Sequence, residues 1–166
     1  HDALPILSNA SRTQLFDIRN LCWDEELCGA FKVPVSALAE PCDSNGDFGE
    51  TTLEGFFESP VPIRAVMGDS HAALYGHGCV NKGMAKATYG TGSSVMMNIG
   101  PEFVQSASGV VTSLAWSING RADYVLEGNI NYSGAVITWL QKDLGLIPDP
   151  AESASLAKKQ EKTMCL

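Results

Sequence analysis

Asn119-Gly120 sits between two apolar runs, VVTSLAWSI (110–118) and ADYVLEGNI (122–130), and this dipeptide constrains the fold most. Asn and Gly both tolerate positive φ, which the two-residue turn of a tight hairpin needs at both central positions, so the runs are predicted to pair as antiparallel strands. Upstream, GMAKATYGTGSSVMMNIG (83–100) is strand-rich and broken at Gly90 and Gly92. Downstream, SGAVITWLQKDLG (133–145) spaces Val136, Leu140 and Leu144 at i+4, with Ser133 as a cap and Gly145 and Pro148 as stops. That pattern predicts a helix.

The first half of the chain is less regular. RTQLFDI (12–18) reads as a strand or an irregular connector, and WDEELCGAFKVP (23–34) as a short helix. Asp24 suits its N-cap, acids fill its first turn, Leu27 and Phe31 share a face, and Pro34 closes it. Residues 40–60 carry turn formers and acids and are expected to be loop with one edge strand. PIRAVMG (62–68) is a candidate strand, and SHAALYGHG (70–78) starts a helix after it. GHGCVNKG (76–83) holds three glycines and only Val80 as a long apolar residue, the composition of a joint between domains.

Composition narrows the function classes. The 166 residues are 45% hydrophobic, enough for a core, and mean hydropathy is near zero. No apolar run approaches the ~20 residues that cross a bilayer, and the opening HDALPIL lacks the form of a secretory signal. Net charge is -8 with Lys and Arg scattered, so no nucleic-acid partner and no membrane partner is expected. The five cysteines, Cys22, Cys28, Cys42, Cys79 and Cys165, are odd in number and never spaced C-x-x-C. Neither a zinc site nor a disulfide framework follows, and reduced thiols in a cytoplasmic protein are expected.

Three constellations could carry chemistry. Asp69 ends the apolar run and opens the next helix; from spacing alone an N-cap is the favoured reading. The alternative is a ligand site, because strand C-termini in α/β folds are where ligands bind, and an Asp there could take a proton from a hydroxyl. TYGTGSS (88–94) flanks Thr91 with glycines, which lets backbone N–H groups and hydroxyls approach an anion. It has neither a Walker A lysine nor a G-x-G-x-x-G pattern, and taken alone a hairpin turn with Gly at positive φ is the favoured reading. Gly134 opens the third helix, either leaving its N–H groups free for phosphate or allowing close helix–sheet packing. His71 and His77 lie six apart on different helix faces, so histidine ligation of a metal is not expected. Tyr132 and Trp139 read as core or nucleotide-edge packing.

The order strand, strand, strand, helix over 83–145 matches the opening of the ribonuclease-H-like domains of actin-type ATPases, though many α+β folds share it. Longer stretches are more specific. SNASRTQLFDIRNLCWDEELCGAF, GDSHAALYGHGCVNKGMAKATYGTGSSVMMNIG and YVLEGNINYSGAVITWLQKDLGLI together resemble the FGGY carbohydrate kinases, the family of glycerol kinases and xylulokinases, from about Ser8 to about Lys162. The resemblance implies an α/β, ribonuclease-H-like (actin-like ATPase) fold. Residues 1–78 would end the first domain, on the substrate side, and 79–166 would begin the second, on the nucleotide side. It implies ATP-dependent phosphorylation of a hydroxyl on a ketopentose or a glycerol-like polyol, with Mg2+ ligands mostly outside this chain and a homo-oligomer when full length.

Residue by residue, the resemblance makes Asp69 the catalytic base, with Ser70 beside it at the substrate. It places Gly90, Thr91, Gly92, Gly134 and Thr138 at the nucleotide. Two positions depart from the glycerol-kinase pattern: Ser70 and Thr138 both stand where Gln is usual. The shorter Ser70 counts against glycerol and leaves room for a bulkier ketose or polyol. HDALPI at the front has no family counterpart, KTMCL at the end also diverges, and the family's phosphate-binding hairpin is missing. The chain is therefore expected to be an internal piece of a much longer enzyme, inactive alone. A non-kinase actin-like ATPase domain and an inert truncated fragment are the alternatives.

Overall fold

The computed structural model describes residues 6–159, so the expectations for residues 1–5 and 163–166, Cys165 among them, lie outside the described residues. The chain forms two compact units, one up to Lys86 and again over Met96–Gly128, the other over Ala87–Val95 and from Asn129 onward.

The first unit is built on strands β6 (Ser93–Gly100, from Met96), β7 (Val111–Ile118) and β8 (Arg121–Ile130, to Gly128). β7 and β8 pair antiparallel through the predicted hairpin, with Asn119 at φ 53° and Gly120 at φ 74°. Both central residues have the positive φ of a type I′ turn. Adjacent residues on a strand point to opposite faces, and the apolar clusters follow that rule. Leu114 and its cross-strand partner Tyr124 join Leu7, Ala10, Phe16 and Ile99 in one cluster. Ala115 and Val125 join Leu74, Cys79 and Met96 in the other. Trp116 shares that second cluster because the register shifts between Leu114 and Trp116, a bulge that gives β7 one extra residue. The sheet is thus buried on both sides, by helix α1 (Leu7–Ala10) on one and α3 (Asp69–Gly76) on the other.

Smaller elements tie down the edges. β1 (Phe16–Asp17), within the 12–18 region, pairs with β2 (Cys22–Trp23) beyond it in a two-residue ladder, and the Tyr124 hydroxyl donates to the Ile18 carbonyl at 2.7 Å. Asp17 accepts from the Arg19 and Asn20 backbone N–H groups, which hold its carboxyl below the usual range. α2 (Glu25–Ala30) forms as predicted, with the Asp24 carboxylate accepting from Leu27 N. Its buried residue is Cys28, however, while Leu27 and Phe31 face outward. β3 (Glu50–Thr51) is the expected edge strand, paired with β4 (Val61–Pro62). Residues 62–68 do not make the regular strand expected. Beyond β4 they keep one bridge, Ala65 to Asn45, and scattered bonds to 44–49. Pro60 and Pro62 remove two ladder donors there, which limits pairing.

The second unit holds β5 (Ala85–Tyr89, from Ala87), the turn 90–92, the start of β6, and α4 (Gly134–Lys142) followed by α5 (Ser153–Lys158). The order of hydrogen-bonded strands is β5-β6-β8-β7. α4 ends three residues before Gly145, whose φ of 61° is the left-handed conformation favoured by Gly. Its apolar stripe is not buried, since Val136 and Leu144 are exposed among the described residues.

Candidate active site

Asp69 is the first residue of α3, and the N-cap is Gly68, so the expected side-chain cap is corrected. The carboxylate Oδ1 accepts from Ser70 N at 2.6 Å and does not reach the N–H groups one turn on. Asp69 is exposed and Ser70 half-buried, both at the mouth of a cavity of about 200 Å³. A carboxylate released from capping at a solvent-facing helix start is available to a ligand.

The rest of that cavity was not picked out from the sequence. Its walls come from Asn9, Arg12, Gly68, His71 and Glu127. Arg12 Nη1 stands 2.6 Å from Glu127 Oε2, and the Glu127 side chain is only 10% exposed. His71 is buried under the first turn of α3, and its Nε2 is sealed from solvent with no hydrogen-bond partner. Burial holds the imidazole below its ordinary pKa; Arg12 and Lys86 push the same way, against Glu127 and Asp69. The ring is therefore neutral near pH 7. Gly68 matters for what it lacks: a methyl carbon there would lie 3.0 Å from Asn9 Oδ1 and 3.4 Å from His71 Nδ1. The signal that could have found Glu127 is an acid inside the apolar strand run YVLEGNI, because a buried acid needs a partner. Asn9, Arg12 and His71 carry no comparable mark.

The second constellation lies in the second unit. Ser133 N donates to the Thr91 carbonyl, Gly134 N to the Gly90 carbonyl and Ala135 N to the Thr91 carbonyl, each at 3.0 Å. Of the two readings of this helix end, free amides for an anion is corrected, because the 90–92 turn takes those N–H groups, and close packing holds. Ser133 is the N-cap residue, yet its hydroxyl does not cap; it donates to Gly90 O at 3.1 Å and pairs with Ser93 Oγ at 2.7 Å. A methyl carbon at Gly134 would stand 2.5 Å from Gly90 O, so only Gly lets the turn rest on the helix. Gly92 is required for a like reason: its Cβ would lie 2.8 Å from the Ile130 carbonyl. Neither Gly90 nor Gly92 has the positive φ expected of the turn.

Gly90, Gly92, Thr88, Ser93, Ser94 and residues 129–131 line an open hollow of about 300 Å³. Ser94 Oγ is buried there without a hydrogen-bond partner. Thr91 is exposed at the tip of the turn, and Thr138 is exposed one turn along α4 from Gly134. The sequence-predicted residues therefore gather as two sets, Asp69 with Ser70, and residues 90–92 with Gly134.

Residues 7–76 match the model of the FGGY family of carbohydrate kinases, N-terminal domain. A glycerol kinase of Rhodospirillum rubrum is 46% identical over 151 residues, 91% of this chain and 30% of that protein. One of Alkaliphilus oremlandii is 45% identical over 152 residues, with similar coverage. Residues 7–76 belong to the FGGY family of carbohydrate kinases. The chain spans about 30% of the length of the curated relatives it matches.

Solved structures carry the fold of this FGGY segment. Plasmodium falciparum glycerol kinase with ADP superposes with a TM-score of 0.85 at 35% identity, over 96% of this chain and 32% of that one. The xylulose kinase of R. rubrum follows with a TM-score of 0.74 at 18% identity, covering 93% of this chain and 32% of that one. The ribonuclease-H-like fold class expected from the sequence therefore stands. No helix among the described residues is long and apolar enough to cross a membrane.

Proposed function

We propose that the whole protein to which this FGGY segment belongs transfers the terminal phosphate of ATP to a hydroxyl of a small polyol or ketose. The observation that carries the reading is Asp69, a carboxylate at a solvent-facing helix start that caps nothing beyond Ser70 N and opens onto a polar cavity. The name of the superposed Plasmodium structure supports the nucleotide, and the names of the 44–46% identical relatives support a glycerol-like acceptor. Ser70 favours a second reading, a ketopentose, because its short side chain leaves space next to the carboxylate. The family-model match ends at residue 76, which supports a domain boundary near 78.

An alcohol is a far weaker acid than a carboxylic acid of pKa about 3.9, so deprotonation before attack is costly. In a loose, metaphosphate-like transition state the nucleophile gives up its proton late. Asp69 then orients the hydroxyl and accepts that proton as the new P–O bond completes. Ser70 contacts the acceptor beside it.

On the nucleotide side, the 90–92 turn, with Thr91 exposed at its tip, faces the phosphates, and Gly134 holds that turn against α4 with Thr138 a turn further on. The fit is chemical: small residues leave the approach open, and Ser94 Oγ supplies an unsatisfied polar atom in the adjoining cavity. Mg2+ neutralises phosphate charge in such reactions. Its ligands are proposed to lie in the rest of the protein, which is also proposed to be cytoplasmic and homo-oligomeric.

The test is ADP release by the full-length protein given MgATP and a panel of polyols and ketoses. Release that depends on one acceptor is expected. Release indifferent to every acceptor overturns the kinase reading in favour of a non-kinase ATPase of the same fold.

A further inference from the structure

Four polar side chains beside Asp69 have no part in the transfer step, and two of them share one geometric feature. Asn9 Oδ1 and His71 Nδ1 converge over Gly68, both within 3.4 Å of the point where any other residue would place a Cβ. Gly68 and both side chains line the cavity that Asp69 opens. The Asn9 side chain has no hydrogen bond among the described residues, and neither ring nitrogen of His71 has one. His71 is only 6% exposed with Nε2 sealed, which fixes the ring so that Nδ1 stays beside the cavity, and Asn9 is exposed there. Arg12 and Glu127 differ, being bound to each other at 2.6 Å.

We infer that His71, together with Asn9, determines substrate specificity by hydrogen-bonding a hydroxyl of the acceptor other than the one presented to Asp69. The inference rests on the kinase reading above. Asp69, Gly68 and His71 line one cavity, so a ligand held at the carboxylate has its next carbons near Gly68. Only Nδ1 of the imidazole faces Gly68, and in the neutral ring it donates or accepts according to tautomer, while an amide offers both. The pair therefore suits a vicinal hydroxyl, which itself donates and accepts. A residue larger than Gly at position 68 would wedge between the two groups and close the space above them. The acceptor class is a neutral compound with at least two neighbouring hydroxyls. A site that hydrogen-bonds a substrate hydroxyl rejects analogues that lack it, because its own polar groups are then left unpaired.

The experiment uses the full-length enzyme with MgATP and three acceptors, glycerol, erythritol and D-xylulose, each compared with a deoxy analogue lacking the hydroxyl next to the reacting one. His71→Leu is expected to raise KM for the preferred acceptor about tenfold with kcat changed less than threefold, and His71→Gln to restore most of the loss. The deoxy analogue should be nearly indifferent to both substitutions. Asn9→Ala should shift KM the same way and keeps the test open if His71→Leu does not fold. Unchanged KM in a folded His71→Leu variant, or an equal loss for the hydroxylated acceptor and its deoxy analogue, overturns the inference while wild-type, acceptor-dependent ADP release leaves the kinase reading intact. Absence of that release in the wild type overturns both.

Discussion

The Asp69 cavity and the 90–92 turn both adjoin the start of a helix, yet they are made in opposite ways. Around Asp69 the walls are charged or polar side chains, with an ion pair at 2.6 Å and a buried imidazole. At 90–92 the walls are glycines, hydroxyl residues and the 129–131 segment, with no ionised side chain, and the shape is set by where side chains are missing. The difference matches the two ligands proposed. A hydroxyl must be oriented and deprotonated, which needs a base, whereas a polyphosphate arrives with its own charge and metal and needs space and donors. One region works by its functional groups, the other by its lack of bulk.

The contrast breaks most visibly if the base is not a base. Asp69→Asn in the full-length enzyme keeps size and shape but removes the proton acceptor. Turnover in the acceptor-dependent ADP assay should fall by at least ~10²-fold, the low end for general-base assistance, with an unchanged melting temperature. Turnover within a fewfold of wild type would refute the assignment. The opposite design is probed at Gly134. An added methyl would meet Gly90 O at 2.5 Å, so Gly134→Ala should cost about 1–3 kcal/mol of stability in urea unfolding, as overpacking does. An unaffected midpoint would show that the turn yields freely and that absent side chains do not set its shape. Arg12→Ala comes next. The Arg12 side chain is 43% exposed, so loss of its contact with Glu127 should cost about 1 kcal/mol in the same measurement, toward the low end for a charged hydrogen bond.

How much of this was legible in the sequence follows from the same contrast. The hairpin at Asn119-Gly120, the break at Gly90–Gly92 and α4 were readable because turn chemistry and periodicity are local properties. The capping role of Asp24 was readable too, and that of Asp69 was not. Both stand before helices with similar sequence signals; only the neighbouring backbone decides that Gly68 takes the cap and leaves Asp69 at the first helical position. The Asp69 cavity was hidden for a further reason. Asn9 and Arg12 come from the end of α1, His71 from α3 and Glu127 from β8, so over a hundred residues separate the partners of its ion pair. The start of α4 kept two readings in the sequence, free amides or close packing, because the acceptors that decide for close packing lie more than forty residues upstream at Gly90 and Thr91. Periodicity also misplaced Leu27 and Phe31, which form a helical face that nothing among the described residues covers.

The last expected effect concerns proton binding at His71, and it separates the two regions by pH alone. Burial lowers the folded-state pKa of this imidazole, with Arg12 and Lys86 acting in the same direction and Glu127 and Asp69 opposing. The unfolded chain then binds a proton at pH values where the folded one does not. Stability from this group is fully present above the ordinary imidazole pKa of about 6.5 and is lost as pH falls from there toward the lowered folded value. The slope is at most about 1.4 kcal/mol per pH unit for one proton. Urea unfolding between pH 7.5 and pH 5 should therefore show a decline in the wild type that is shallower in His71→Gln by up to one proton, while Gly134→Ala lowers stability by the same amount at every pH. Equal slopes in wild type and His71→Gln would mean that the imidazole is protonated as readily in the fold as outside it. The polar cavity would then be wet enough to screen its own charges, and the distinction between a region built of ionisable groups and one built of empty space would fail at its most buried residue.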